Sequence, residues 1–138
     1  MLRGEDGARL LTPFSQETPI EMIFADGDVS DSMPRDRLMG FAPAKGAAYK
    51  FYYLEPMKEG FFGLSYPNGD TLSFRFDPEK LPYLGVWLNN GYFQNIYSIA
   101  PEPCTVPFDA PDKAAARGYR SVIPPESAFE CSIRIALE

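Results

Sequence analysis

Hydrophobic and polar positions alternate in twos along much of this chain, and only one stretch carries a helical pattern. In TLSFRFD, Leu72, Phe74 and Phe76 alternate with Thr71, Ser73, Arg75 and Asp77, which predicts a strand with one buried face. AFECSIRIALE repeats the pattern more strictly. Phe129, Cys131, Ile133, Ile135 and Leu137 fall on one side and Glu130, Ser132, Arg134 and Glu138 on the other, as in a half-exposed antiparallel strand.

AYKFYYLEP, GFFGLSYP and PIEMIFAD are rich in residues that fit a pleated surface. GFFGLSYP leads into TLSFRFD through Pro67-Asn68-Gly69-Asp70, and this turn chemistry predicts a β-hairpin. LGVWLNN and YFQNIYSIA read as a second hairpin around Asn90-Gly91. The one helical stretch is DAPDKAAARGY, where Asp109 or its neighbour can cap, Asp112 suits the first turn, and Gly118 can stop the helix. Residues 25–47 carry Asp26, Asp28 and Asp31, then Pro34, Gly40, Pro43 and Gly46, and read as a long surface loop. With 14 prolines and 11 glycines between short strands, the pattern predicts an all-β fold, an antiparallel β-sandwich with at most one short helix.

Composition narrows the chemistry. The 138 residues suffice for one domain with its own core, and 45% hydrophobic with 14% aromatic residues is globular usage. A net charge of −6 argues against sequence-independent binding to nucleic acid or to an anionic membrane, because both require clustered Lys and Arg. No apolar run approaches the length of a membrane span, and MLRGEDGARLL lacks the apolar core of a secretion signal, so the expected location is cytoplasmic.

The chain contains no histidine, which removes Ser-His-Asp and Cys-His catalysis and leaves proton transfer to carboxylates, Lys or Tyr. Cys104 and Cys131 form no CxxC pair and are read as buried free thiols. In DGDVSD the spacing of Asp26, Asp28 and Asp31 does not match a calcium loop, so a solvated acidic turn is expected and no metal site. None of these readings involves a cofactor.

Residues 82–109, PYLGVWLNNGYFQNIYSIAPEPCTVPFD, combine a strand carrying PYLGVW, a glycine-containing turn, and a strand ending in A-x-E-P before an aspartate. This segment resembles the C-terminal part of the aldose 1-epimerase, or galactose mutarotase-like, superfamily. A weaker similarity reaches back to about Tyr49 and forward to Pro124-Pro125-Glu126-Ser127 ahead of the last strand. The resemblance implies half of a β-supersandwich, an uncovered apolar sheet face, and therefore a twofold homodimer. It implies a free monosaccharide as ligand, with Glu102 at the position of the general base. The histidine that serves as general acid in that family has no counterpart here, and Lys50, Lys58, Tyr92 and Tyr97 are the available substitutes.

Around Glu102, Trp87 offers a stacking surface for a pyranose, and Asn89 and Gln94 offer paired donors and acceptors for hydroxyls. Gln94, Ser98 and Glu102 share one face if the strand runs straight. Each residue also has a plain structural reading. Trp87 fits a core strand, Asn89 fits turn chemistry beside Asn90-Gly91, and Gln94 fits an exposed strand position. Glu102, between Pro101 and Pro103, fits a solvated strand end. The sequence thus leaves three functions open: an aldose 1-epimerase-like isomerase, a non-catalytic carbohydrate-binding sandwich, and a partner-binding sandwich with no sugar.

Overall fold

A computed structural model describes residues 2–3, 7–27, 38–40 and 46–138. Nine strands and one helix follow in chain order: β1 (Leu2–Arg3), β2 (Arg9–Leu11), β3 (Ile20–Asp26), β4 (Ala47–Tyr53), β5 (Phe61–Ser65), β6 (Thr71–Phe76), β7 (Tyr83–Asn90), β8 (Tyr97–Cys104), α1 (Pro111–Ala116) and β9 (Ile133–Leu137). They form a five-stranded sheet, β1-β8-β7-β4-β3, and a four-stranded sheet, β2-β5-β6-β9, with antiparallel pairing throughout. The fold is an all-β sandwich with a single short helix among the described residues.

The alternation explains how the sheets meet. Tyr49, Phe51 and Tyr53 of β4, Leu84, Val86 and Leu88 of β7, and Ile99 of β8 point toward the second sheet, where Leu10, Phe62, Leu64 and Phe74 receive them in one core. Leu38 and Met39 enter that core from the connection between β3 and β4, held by the Tyr49 hydroxyl donating to the Leu38 carbonyl at 2.9 Å. Of the predicted loop 25–47, residues 25 and 26 belong to β3 and residue 47 to β4. Residues 28–37 and 41–45, with Asp28 and Asp31, lie outside the described residues.

Other boundaries shift for identifiable reasons. The Asn68-Gly69 hairpin forms as expected, with Gly69 at φ 96° and the Tyr66 amide donating to the Asp70 carbonyl. The second hairpin forms too, but YFQN is not strand. β8 begins at Tyr97, after a loop closed by the Asn89 side chain, and Gln94 and Asn95 take left-handed conformations there (φ 55° and 52°). The last strand covers only Ile133–Leu137, so Phe129 and Cys131 precede it. Two short strands near the start of the chain, β1 and β2, pair with β8 and β5, and both fall in a stretch where periodicity gives no strand signal.

In β3 the pairing with β4 shifts between Met22 and Phe24, a bulge that leaves Ile23 as the extra residue. Its effect is directional. Ile20 and Met22 pack on the core, whereas Ile23 and Phe24 both reach the opposite, outward face of the sheet.

Phe51 is fully buried, so Phe51→Ala is expected to cost about 3–5 kcal/mol by urea unfolding. Exposed Val122→Ala should stay within about 0.5 kcal/mol in the same measurement.

Candidate functional site

The outward face of the five-stranded sheet carries the candidate site. Side chains of alternate residues share that face. One row across the strands is Ala100, Trp87, Lys50 and Phe24, and the next is Glu102, Gly85, Tyr52 and Glu21. Residues 105–119, including α1, fold back over part of the second row. There Tyr52, Phe108 and Ala114 make a small core with Ile23, Val106 and Tyr119.

Glu102 reaches this face because its flanking prolines cannot donate to a ladder. Pairing with β7 continues on both sides, Val86 opposite Pro101 and Leu84 opposite Pro103, so the proline nitrogens lie toward the outer edge of β8. Pro101 and Pro103 therefore turn one way and Glu102 the other. β1 pairs with β8 only at Ser98 and Ile99, which leaves that edge without a neighbouring described strand beside the prolines.

Lys50 organises the site. Its ammonium lies 2.7 Å from a Glu102 carboxylate oxygen and 2.5 Å from Asp109 Oδ1, and its side chain is only 13% exposed, against 38% and 56% for the two acids. The Tyr52 hydroxyl donates to the same Asp109 oxygen at 2.6 Å. A cation this shielded requires compensation, and the two carboxylates supply it.

The titration shifts express the same balance. Burial is the largest influence on Lys50 and pulls its pKa down, but hydrogen bonds and charge from Asp109 and Glu102 outweigh it, and the net direction is upward. For Asp109, burial acts to raise the pKa, while the Lys50 and Tyr52 hydrogen bonds and the charges of Lys50 and Lys113 carry it below the usual carboxylate range. Burial raises the Tyr52 phenol further, with Asp109 adding to the effect. Burial, reinforced by Glu102, pushes the Cys104 thiol up to about 12.

Two backbone features position these groups. Gly85 lies opposite both Tyr52 and Glu102, and a Cβ there would stand 2.5 Å from Tyr52 Cε1. The missing side chain is what lets the Tyr52 ring lie across β7 toward Asp109. Phe108, just before Asp109, holds φ 80°, a conformation that costs a non-glycine residue about 1–3 kcal/mol. Its ring packs against Tyr52 and Tyr119 and lies under the Arg117 guanidinium at 4.6 Å. Arg117 also pairs with Glu21 on β3, so the 105–119 segment is pinned to the sheet at both ends.

The residues singled out from the sequence separate into two groups. Glu102 and Trp87 share the outward face, in adjacent rows. Trp87 is partly buried, with Phe24 at 5.4 Å and Phe93 at 6.0 Å between ring centroids. Asn89 lies on the same face but is buried and committed to its own loop, bonding the Phe93 amide and carbonyl at 3.0 and 3.1 Å. Gln94 is exposed in that loop and does not continue the line of Ser98 and Glu102, because its left-handed backbone precedes the strand.

Of the substitute acids, Lys50 contacts Glu102 directly and Lys58 is exposed. Tyr92 is exposed beside Asp26, and Tyr97 packs against the core. Asp109 does not cap α1. Ala110 occupies the N-cap without a side-chain bond, because the Asp109 carboxylate is held by Lys50 and Tyr52. The roles of Lys50, Tyr52 and Asp109 as one unit were not read from the sequence. The available signal was Lys50 itself, a lone cation inside the otherwise apolar run AAYKFYY.

Both cysteines are free, but neither is fully buried: Cys104 is partly buried and Cys131 exposed. No group of metal-ligating side chains occurs among the described residues, and none of their helices is long and apolar enough to cross a membrane. Two crevices, of about 380 and 230 Å³, flank Phe14 and are lined by none of Glu102, Trp87, Asn89, Gln94, Lys50, Tyr52 and Asp109. Comparison with protein-family models, curated proteins and solved structures gave no match.

The raised Lys50 pKa contributes stability below the ordinary lysine value that is lost as pH climbs through the folded value, and the lowered Asp109 pKa contributes stability that is lost as pH falls through its folded value. Lys50→Met is therefore expected to lower stability by about 1–2 kcal/mol between about pH 4 and about pH 10, with the difference from wild type shrinking outside that window. Melting temperatures across pH measure it. A thiol reagent at about pH 8 should label exposed Cys131 rapidly and Cys104 far more slowly.

Proposed function

We propose that the outward face beside Trp87 binds a neutral monosaccharide and that the protein is a carbohydrate-binding β-sandwich. The observation that carries this reading is the direct cross-strand pairing of Trp87 with Lys50, which sets an aromatic ring beside a fixed ammonium–carboxylate pair. A pyranose has an apolar C–H face and a rim of hydroxyls that both donate and accept, and these two neighbours match it. The ammonium supplies donors and the carboxylates supply acceptors, held in place before any ligand arrives. Ala100, on the other side of Trp87, adds only a methyl group and leaves room beside the ring.

The same geometry favours binding over anomer interconversion. Mutarotation requires a base at the C1 hydroxyl and an acid at the ring oxygen, on separate sides of the sugar. Glu102 and Lys50 touch each other, so a sugar meets them as one group and not as two flanking it. Glu102 as general base of an aldose 1-epimerase-like reaction would require the Lys50 contact to open first.

Trp87 is the single tryptophan of the chain, so its fluorescence reports on this face alone. Titration with hexoses and pentoses is expected to give a saturable change, lost in Trp87→Phe/Lys50→Met when followed by saturation-transfer NMR. No response across a panel of neutral sugars overturns the proposal. Optical rotation of freshly dissolved α-glucose or α-galactose is expected to relax no faster than in buffer. An acceleration abolished by Glu102→Gln would instead establish the isomerase.

A further inference from the structure

The two sheets cover each other over the core, but β9 extends past that cover. Ile133, Ile135 and Leu137 lie across from Phe76, Phe74 and Leu72, on the core side of the sheet, yet are 43%, 61% and 70% exposed. Among the described residues β9 is also the end strand of its sheet. The Thr71 amide donates to the Glu138 carbonyl and the Glu138 amide to the Thr71 carbonyl. Alternation along an antiparallel ladder then gives Ala136 and Arg134 their backbone bonds to β6, and turns the N–H and C=O groups of Ile133, Ile135 and Leu137 to the open edge. Open backbone groups and open apolar side chains therefore belong to the same residues. No proline, bulge or edge lysine guards this strand, in contrast to β8.

The polar side of β9 is unbalanced as well. Arg134 stands directly opposite Arg75, a like-charge pair, and Arg75 is already paired with Glu59 at 2.9 Å. Among the described residues neither Arg134 nor Glu138 has an ion-pair partner.

We infer that β9 is a homodimer interface, in which two copies add edge to edge, antiparallel, about a twofold axis at Ala136. That register sets Arg134 opposite Glu138 of the second copy, twice, at non-hydrogen-bonded positions where cross-strand side chains approach most closely. It pairs Ile135 with Leu137 of the second copy on the other side, through the outward-facing backbone groups. The sheets join into one continuous eight-stranded sheet, and each unpaired charge gains an opposite one. A second copy is favoured over a different chain because the strand is complementary to itself in both charge and hydrophobicity.

Sedimentation equilibrium of the full chain is expected to show a monomer–dimer equilibrium at micromolar concentrations. Arg134→Glu should weaken it by about tenfold or more. The charge exchange Arg134→Glu/Glu138→Arg should restore it, and Ile135→Lys should leave a monomer that still folds, judged by circular dichroism. Hydrogen exchange adds a positional readout: the Ile135 and Leu137 amides should gain protection with increasing protein concentration. A wild-type chain that stays monomeric, as it would if the edge served another protein, overturns the inference. So does a dimer indifferent to Arg134→Glu and Ile135→Lys.

Discussion

A strand buried on both faces has no place for an uncompensated charge, and β4 carries Lys50 in its middle. Six of its seven positions are buried, and the inner three aromatics belong to the main core. Burial weakens the ammonium's hydration, so the sheet is compatible with Lys50 only while Glu102 and Asp109 remain within reach. Several features that look unrelated follow from that constraint. Glu102 is directed outward by prolines on each side, Asp109 is brought back by the strained turn at Phe108, and Gly85 leaves room for the Tyr52 ring that shares Asp109. The strain at Phe108 persists because aromatic packing and the Arg117–Glu21 pair hold the segment on either side of it.

What was legible in the sequence was what repeats. β5, β6 and the Asn68-Gly69 turn could be read because alternation and turn chemistry are local properties, and β9 could be read in its parity though not in its length. The Asn90-Gly91 turn was displaced because Asn89 spends its amide on the loop, a choice that depends on where Phe93 falls in space. β1 and β2 are too short to show a period, and they exist only because β8 and β5 offer edges to them.

The site divides along the same line. Glu102 and Trp87 stand out by residue type and neighbours, whereas for Asp109 the local pattern offers only a helix cap, at Asp109 or its neighbour, because a carboxylate before Pro111 suits that role. Its partners, Lys50 and Tyr52, lie 59 and 57 residues away. No local rule carries information over that distance. A cation within an apolar run was the one visible sign that a distant acid had to exist.

The two sheets also treat their edges differently, and this bears on what each surface is for. β8 meets its outer edge with two prolines, which cannot donate to a further strand, and among the described residues no strand pairs there beside Glu102. β9 meets its edge with unblocked backbone and branched apolar side chains, beside an arginine facing another arginine. A closed edge suits a surface that receives a small ligand across its face, since an added strand would crowd it. An open edge with matched charges suits addition of another strand. The two sheets therefore separate their surfaces physically: one keeps a fixed polar and aromatic face, and the other keeps at β9 an edge that no described strand covers.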